Sequence, residues 1–329
     1  MGILETDIFI VGAGPCGIAA GCAAQRAGFR SILADKGSLL SSLREFPDGM
    51  RFYSTADLLE IDGVPFPASE QSPKPERDEA IHYFAAVARA RNLQIYLYRT
   101  VFAIEGAEGD FTIRMRAPGG GEETVRARFV IVATGAFEVP RMLQIPGETL
   151  PHVSHYFHSP LDYYGMRTLI IGGRNSAAEA ALALARANVN VTISYRKLQF
   201  DAAYVKYWIL PDLLARGHDG KIRFLMGTEP IRITSRSVEF RNEKGVTTED
   251  FDRVVCLTGY GPNAAFLKAC GIEISGIAAP IYNPITYETS RRGVFVAGTV
   301  CSGFESGRHF IENGRFHGGE IMKALAARK

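Results

Sequence analysis

Residues 8–21 read IFIVGAGPCGIAAG, and the fold turns on this stretch. Ile8 to Val11 make an apolar strand; Gly12, Gly14 and Gly17 follow in the order G-x-G-x-x-G, with Pro15 between them; small residues at helical spacing then run on. Strand, glycine turn and helix in that order form a loop that cradles a dinucleotide. The first glycine makes the turn, the second lets backbone approach the pyrophosphate, and the third packs helix on strand. The next strand, SILADKG (31–37), completes a βαβ unit, and its Asp35 lies 23 positions after Gly12. A carboxylate there accepts from the free hydroxyls of an adenosine ribose and repels a 2′-phosphate. Lys36 joins it as a candidate contact. One variable position of the turn is a thiol, Cys16.

Residues 167–197, RTLIIGGRNSAAEAALALARANVNVTISYRK, repeat the pattern. Gly172, Gly173, Asn175 and Ser176 belong to the second turn, and Arg196 lies 24 positions after Gly172. One such motif is weak evidence; two of matching length in one chain imply two nucleotide sites. The second strand ends without an acid, and Arg196 and Lys197 stand ready to grip a 2′-phosphate. The first site therefore suits FAD or NAD and the second NADP(H). Arg174 replaces the middle glycine, so its side chain either turns away or joins the phosphates as an extra cation.

The whole chain permits this reading. Its 329 residues suffice for two domains, with 47% hydrophobic and 22% charged residues and 34 glycines. A net charge of +2 gives no general attraction to nucleic acid or a membrane surface. The five cysteines (16, 22, 256, 270, 301) form no C-x-x-C pair, so neither a zinc site nor a dithiol is written here; no metal is expected, and a reduced, cytoplasmic setting is. No apolar run is long enough to span a membrane. MGILET matches a myristoylation pattern at Gly2, but a core strand starting near residue 6 leaves little tether, and acidic Glu5 and Asp7 stand where a signal peptide is basic.

Strand and helix patterns alternate in the manner of an α/β doubly wound protein. VFAIEG (from Val101), DFTIRMRAPGGG and TVRARFVIVATG read as an antiparallel meander running into a buried strand. VIVATG (130–135), GYGPN (259–263) and GVFVAG (293–298) complete the motifs.

Together these residues resemble the thioredoxin-reductase-like, two-dinucleotide-binding flavoproteins. GAGPCG, GGRNSAAEAAL, HVSHYF (152–157) and above all FIENGRFHG (310–318) are most similar to the bacillithiol disulfide reductase family of the YpdA type. The resemblance implies two Rossmann-like domains. An FAD domain spans 1–140 and 264–329 and carries the meander; an NADPH domain, 141–263, is inserted. It implies hydride transfer from NADPH through FAD to a low-molecular-weight thiol disulfide, bacillithiol disulfide, by a homo-oligomer. Gly12, Gly14, Pro15, Gly17, Asp35, Lys36, Val101, Thr134, Gly135, Gly298 and Thr299 would serve FAD. Gly172, Gly173, Arg174, Asn175, Ser176, Arg196 and Lys197 would serve NADPH. Two departures stand out: Thr299 replaces the acid that usually contacts the flavin ribityl chain, and the nicotinamide domain lacks a dithiol.

Residues 305–329 read as one long terminal helix whose N-terminal end faces the flavin. Cys16 has two readings. A helix N-terminus favours a thiolate that attacks a disulfide; a pyrophosphate there opposes it, and a small residue merely tolerated by the turn is the plain alternative. Cys301, two residues past Thr299, is the rival thiol. Cys22 points away from Cys16, Cys256 belongs to a core strand, and Cys270 has no motif around it. Arg308, His309, Arg315 and His317 are candidates for a cationic rim facing the substrate's carboxylates, and His155 for a linker residue between domains. Two other functions stay open: a ferredoxin- or flavodoxin-NADP⁺ reductase that needs no cysteine, and a nucleotide-binding redox sensor.

Overall fold

The computed structural model describes residues 4–67, 73–305 and 307–328; Gly2 lies outside them. The chain divides into two compact units, Met1–Val139 with Tyr260–Lys329, and Pro140–Gly259. The first boundary falls one residue before the expected 140 and the second four before the expected 264. Tyr260 explains the second offset, since its ring lies 4.1 Å from that of Phe137 in the first unit.

The first unit is built on a seven-stranded sheet among the described residues. Strands Gln94–Tyr96, Ser31–Ala34, Leu4–Val11 and Glu122–Val132 lie in that order, followed by Asp110–Arg116 and Thr100–Ala107. Glu122–Val132 joins two kinds of sheet. It runs antiparallel to Asp110–Arg116 through Ala127, then parallel to Val294–Val296 from Val130 onward, and on its other side parallel to Leu4–Val11 from Val125 to Val132. Its burial changes with its neighbours: residues alternate at first, then Phe129 to Val132 are all buried. That is the signature of a one-faced meander entering a sheet covered on both sides.

Period-2 alternation splits the core. Phe9, Val11, Val130 and Val132 face one layer; Ile8, Ile10, Ile131 and Phe295 face the other, with helix Pro15–Arg26. That helix is nearly all Ala, Gly and Cys on its buried side, so neighbouring backbones come close. A Cβ on Gly318 would sit 2.6 Å from the Ala20 Cα, which seats the terminal helix His317–Ala326 directly on it. The expected single terminal helix is interrupted. A short helix, Ile311–Gly314, precedes two turn residues and then His317–Ala326. Arg315 sits in the interruption, its guanidinium bonded to the carbonyl oxygens of Asp57, Glu60 and Glu312.

The second unit repeats the parallel architecture. Its sheet has the order Ile222–Met226, Asn190–Tyr195, Arg167–Ile171, Arg253–Cys256, Val153–Ser154, all parallel, with helix Asn175–Arg186 following the glycine turn. Strands Glu229–Ile233, Ser237–Asn242 and Gly245–Asp250 add a small antiparallel sheet whose Val238 and Phe240 complete this unit's core.

At Gly17 an added Cβ would collide with the Gly12 carbonyl oxygen. Gly17→Ala should therefore push the first helix off its strand and lower stability by roughly 1–3 kcal/mol, read as a reduced midpoint in thermal unfolding.

Candidate functional site

The first glycine turn is packed on one side and open on the other. Gly12 has φ +110°, and a Cβ there would lie 2.5 Å from the Ala133 carbonyl oxygen, so only glycine fits. A Cβ on Gly14 would meet nothing within 4 Å. Pro15 opens the helix, where its missing N–H leaves no bond unmade. Asp35 closes the turn: its carboxylate accepts from the Ala13 N–H at 2.8 Å, the Gly37 N–H at 2.9 Å and the Ser41 hydroxyl at 3.2 Å. This structural duty was invisible in the sequence, which marked Asp35 only as a ribose acceptor. Lys36 is paired with Glu138 at 2.6 Å, and Asn263 donates to the same oxygen at 3.2 Å. Val101 lies in the hydrophobic core, so any cofactor contact it makes falls to its backbone.

Three distant motifs meet at this turn. Thr134 follows Ala133 against Gly12, and a Cβ on Gly135 would lie 3.5 Å from the Thr299 hydroxyl. The Cys16 sulfur lies between Gly298 and Gly314, 2.8 Å from where a Cβ would stand on either. A side chain at 298 or 314 would occupy the sulfur's space. Sequence reading singled out FIENGRFHG but not its reason: Gly314 is half of the thiol's seat.

Burial governs the thiols. All five cysteines are buried and unpaired by disulfides. Desolvation pushes Cys16 up to about 12, despite its place at a helix N-terminus, and Cys301 likewise to about 12, with Cys16 as its second cause. Cys256 lies in its strand as expected.

The expected cationic rim is reduced to one residue. His317 is 3% exposed; its Nδ1 accepts from the Gly298 N–H at 3.1 Å and its ring stacks on Tyr287 at 4.0 Å. Burial, then the neighbouring His309, lowers its pKa to about 4. It is a neutral acceptor that fixes Gly298. His309 is also lowered by burial and lies 3.0 Å from the Ser302 hydroxyl, while Arg315 is bound to backbone carbonyls. Arg308 alone of the four is a solvent-facing cation, paired with Glu305 at 2.8 Å.

In the second unit Gly172 has φ +150° beside the Leu257 carbonyl, and the Tyr195 ring fills the space over Gly173. Asn175 accepts from the Lys206 N–H at 2.9 Å; Ser176 and Arg196 are exposed. The question left by Arg174 has an answer: its guanidinium lies over the Tyr204 ring at 4.2 Å. Elsewhere in this unit the buried Glu148 carboxylate accepts from the N–H groups of Leu143 and Gln144. His155 stands 3.8 Å from it, and the side-chain ligand atoms of Glu148, His155 and Cys256 lie within 4.8 Å of one another. Sequence reading missed Glu148. No helix among the described residues is long and apolar enough to cross a membrane.

The first turn, open over Gly14, the second glycine turn and the parallel sheets beneath them define a pyridine-nucleotide oxidoreductase of the thioredoxin-reductase-like fold. The profile described as pyridine nucleotide-disulphide oxidoreductase matches residues 9–298. Bacilliredoxin reductase Bdr of Bacillus subtilis (strain 168) is 34% identical over 330 residues, 99% of this chain and 99% of that protein. Solved structures of the bacillithiol disulfide reductase Bdr (YpdA) match closely. The Bacillus cereus enzyme gives a TM-score of 0.95 at 32% identity, and that of Staphylococcus aureus 0.92 at 33%; each match covers 99% of this chain and 100% of the other. The chain belongs to the pyridine nucleotide-disulphide oxidoreductase family and, within it, to the group of the bacillithiol disulfide reductases. It is an enzyme, a flavin-dependent disulfide reductase. The ferredoxin-reductase reading has less support, from relatives such as that of Paraburkholderia xenovorans (strain LB400), 25% identical over 91% of this chain and 81% of that protein.

In the folded protein Cys16 should react with iodoacetamide at pH 7.5 at least ~100-fold more slowly than free cysteine, rising about tenfold per pH unit, as followed by mass spectrometry. For His317, a pKa lowered to about 4 means that the unfolded chain binds the extra proton first as pH falls from about 6.5. The stability this residue contributes is complete above that pH and is lost on the way to about 4. Thermal midpoints of His317→Asn should accordingly fall less steeply over this window than those of the parent.

Proposed function

We propose that the chain is an NADPH-dependent FAD disulfide reductase acting on a low-molecular-weight thiol disulfide, bacillithiol disulfide, with Cys16 as its reacting thiol. The observation that carries this is the seating of the Cys16 sulfur among the first glycine turn, Gly298 and Gly314. The residues fit the cofactors. The open face over Gly14, with Thr134, Gly135 and Thr299 gathered near it, suits FAD, and the second turn with Arg196 and Lys197 suits NADPH. Bound FAD supplies two-electron transfer between a nicotinamide and a sulfur centre.

The chain's own residues do the rest. Gly298, fixed through its N–H by His317, and Gly314 hold the Cys16 sulfur in place. As a thiolate, Cys16 attacks one sulfur of the disulfide, forming a mixed disulfide and expelling the first thiolate. Release of the second thiol takes two electrons and a proton, which balance against NADPH oxidation. Burial keeps the thiol protonated at neutral pH, so the step draws on a small thiolate fraction and quickens as pH rises. We place the enzyme in a reducing cytoplasm, on its five unpaired cysteines, and take it to be a homo-oligomer, as family resemblance suggests.

NADPH oxidation should depend on added bacillithiol disulfide and fall by at least ~100-fold in Cys16→Ala. Full turnover in that variant would remove Cys16 from the mechanism; no turnover with any small thiol disulfide in the parent would remove the substrate assignment.

A further inference from the structure

Nucleotide binding gives no role to the buried polar trio of the second unit. One side-chain atom each from Glu148, His155 and Cys256, an oxygen, a nitrogen and a sulfur, lie within 4.8 Å of one another. Glu148 is 4% exposed, Cys256 1% and the His155 side chain 13%.

Sheet register brings two of them together. Val153–Ser154 runs parallel to Arg253–Cys256, with Val254 opposite Val153 and Val255 opposite Ser154. One step further along, His155 falls beside Cys256, and in-register neighbours on adjacent strands share a face. That face is apolar: Val254 and Cys256 pack there with Leu169, Phe240 and Phe251. Glu148 comes to it from the loop ahead of Val153, whose Ile145 and Leu150 pack on the same cluster. The chain aims the carboxylate itself, through the Leu143 N–H at 2.6 Å on one oxygen and the Gln144 N–H at 2.7 Å on the other.

The spacing between these groups is informative. His155 Nε2 stands 3.8 Å from Glu148 Oε1, too far for a hydrogen bond. Two donors about 2.1 Å from one tetrahedral ion stand roughly 3.4 Å apart, and a sulfur ligand stands slightly further from its neighbours. A small contraction therefore brings all three onto a single centre. Oxygen, imidazole nitrogen and sulfur together make a mixed donor set that suits zinc. Carboxylate and thiolate cancel the two charges of the ion, so a loaded site is neutral within an apolar cluster where an isolated carboxylate is costly.

We propose that Glu148, His155 and Cys256 bind one Zn²⁺ ion that fastens the edge of the second unit's sheet. Cys256 gives up its thiol proton on binding, and no electron is transferred. Glu148 can supply both oxygens, which closes a fourth position. The gain is mechanical. Val153–Ser154 is a two-residue strand at the end of its sheet, and the ion ties it and the loop before it to Arg253–Cys256. Because the donors are buried, the ion is taken up as the chain folds. Sequence spacing conceals such a site: positions 148, 155 and 256 form no short motif, and the expectation of no metal rests on the missing C-x-x-C pair. No step of the proposed reduction passes through it.

The full-length protein, produced in zinc-supplemented medium and passed through gel filtration, is analysed by inductively coupled plasma mass spectrometry. It should carry about one zinc per chain, falling below about a fifth of that in Cys256→Ser and in His155→Asn. Zinc-edge X-ray absorption of the parent, which needs no variant to fold, should show one sulfur at ~2.3 Å and lighter donors at ~2.0–2.2 Å. Chelator should lower the parent's thermal midpoint by several degrees and leave that of Cys256→Ser unmoved. Parent protein without zinc, zinc without a sulfur neighbour, or full zinc retention in both variants would overturn the inference. Loss of disulfide-dependent turnover in a zinc-loaded parent would instead sink the proposed reaction and leave this site standing.

Discussion

Close backbone approach around the first helix is the constraint on which the first unit depends. Gly12 against the Ala133 carbonyl, Gly17 against the Gly12 carbonyl, and Gly318 against Ala20 each put main chain where a side chain would otherwise stand. These contacts join the first strand, the end of the meander and the C-terminal helix at the mouth of one turn. The open side of that turn, over Gly14, is left over from this packing. An open face is left there while the backbones around Gly12 and Gly17 are in close contact.

Cys16 inherits its character from the same packing. Enclosure between two glycines gives its sulfur one position, and the same enclosure removes the water that would stabilise a thiolate. A helix N-terminus is an electropositive place, but its modest effect is smaller than the desolvation of a fully enclosed sulfur. Position is thus gained at the expense of basal reactivity. A thiol of this kind is slow toward stray electrophiles.

Much of the fold could be read in advance because it rests on local rules. The glycine turns, the alternation of strands 110–116 and 122–132 and the small-residue helices all have short-range causes. Residues that act across long sequence separations were less legible. His317 reads as a cation among Arg308, His309 and Arg315, yet it is a buried acceptor for Gly298; only the packing of the terminal helix on the first could reveal that. Arg315 reads as part of the same rim, yet three carbonyls hold it and the terminal helix breaks there. Glu148 carried no motif at all, and its burial depends on two backbone N–H groups that the chain supplies locally.

Arg174 shows how a departure from a motif gains meaning from its surroundings. In a Rossmann turn a side chain at the middle position obstructs the pyrophosphate if it points inward. Here the guanidinium is drawn outward onto Tyr204, thirty positions further along the chain, and the obstruction is removed. The unit gains a positive charge beside the ring. A glycine at 174 would preserve the pyrophosphate contact and lose that charge. An arginine without Tyr204 would keep the charge and leave its position unset. The substitution and the aromatic segment that receives it therefore make sense only as a pair, and the irregular loop between strand and helix is best understood as the part of the fold that lets the motif be broken.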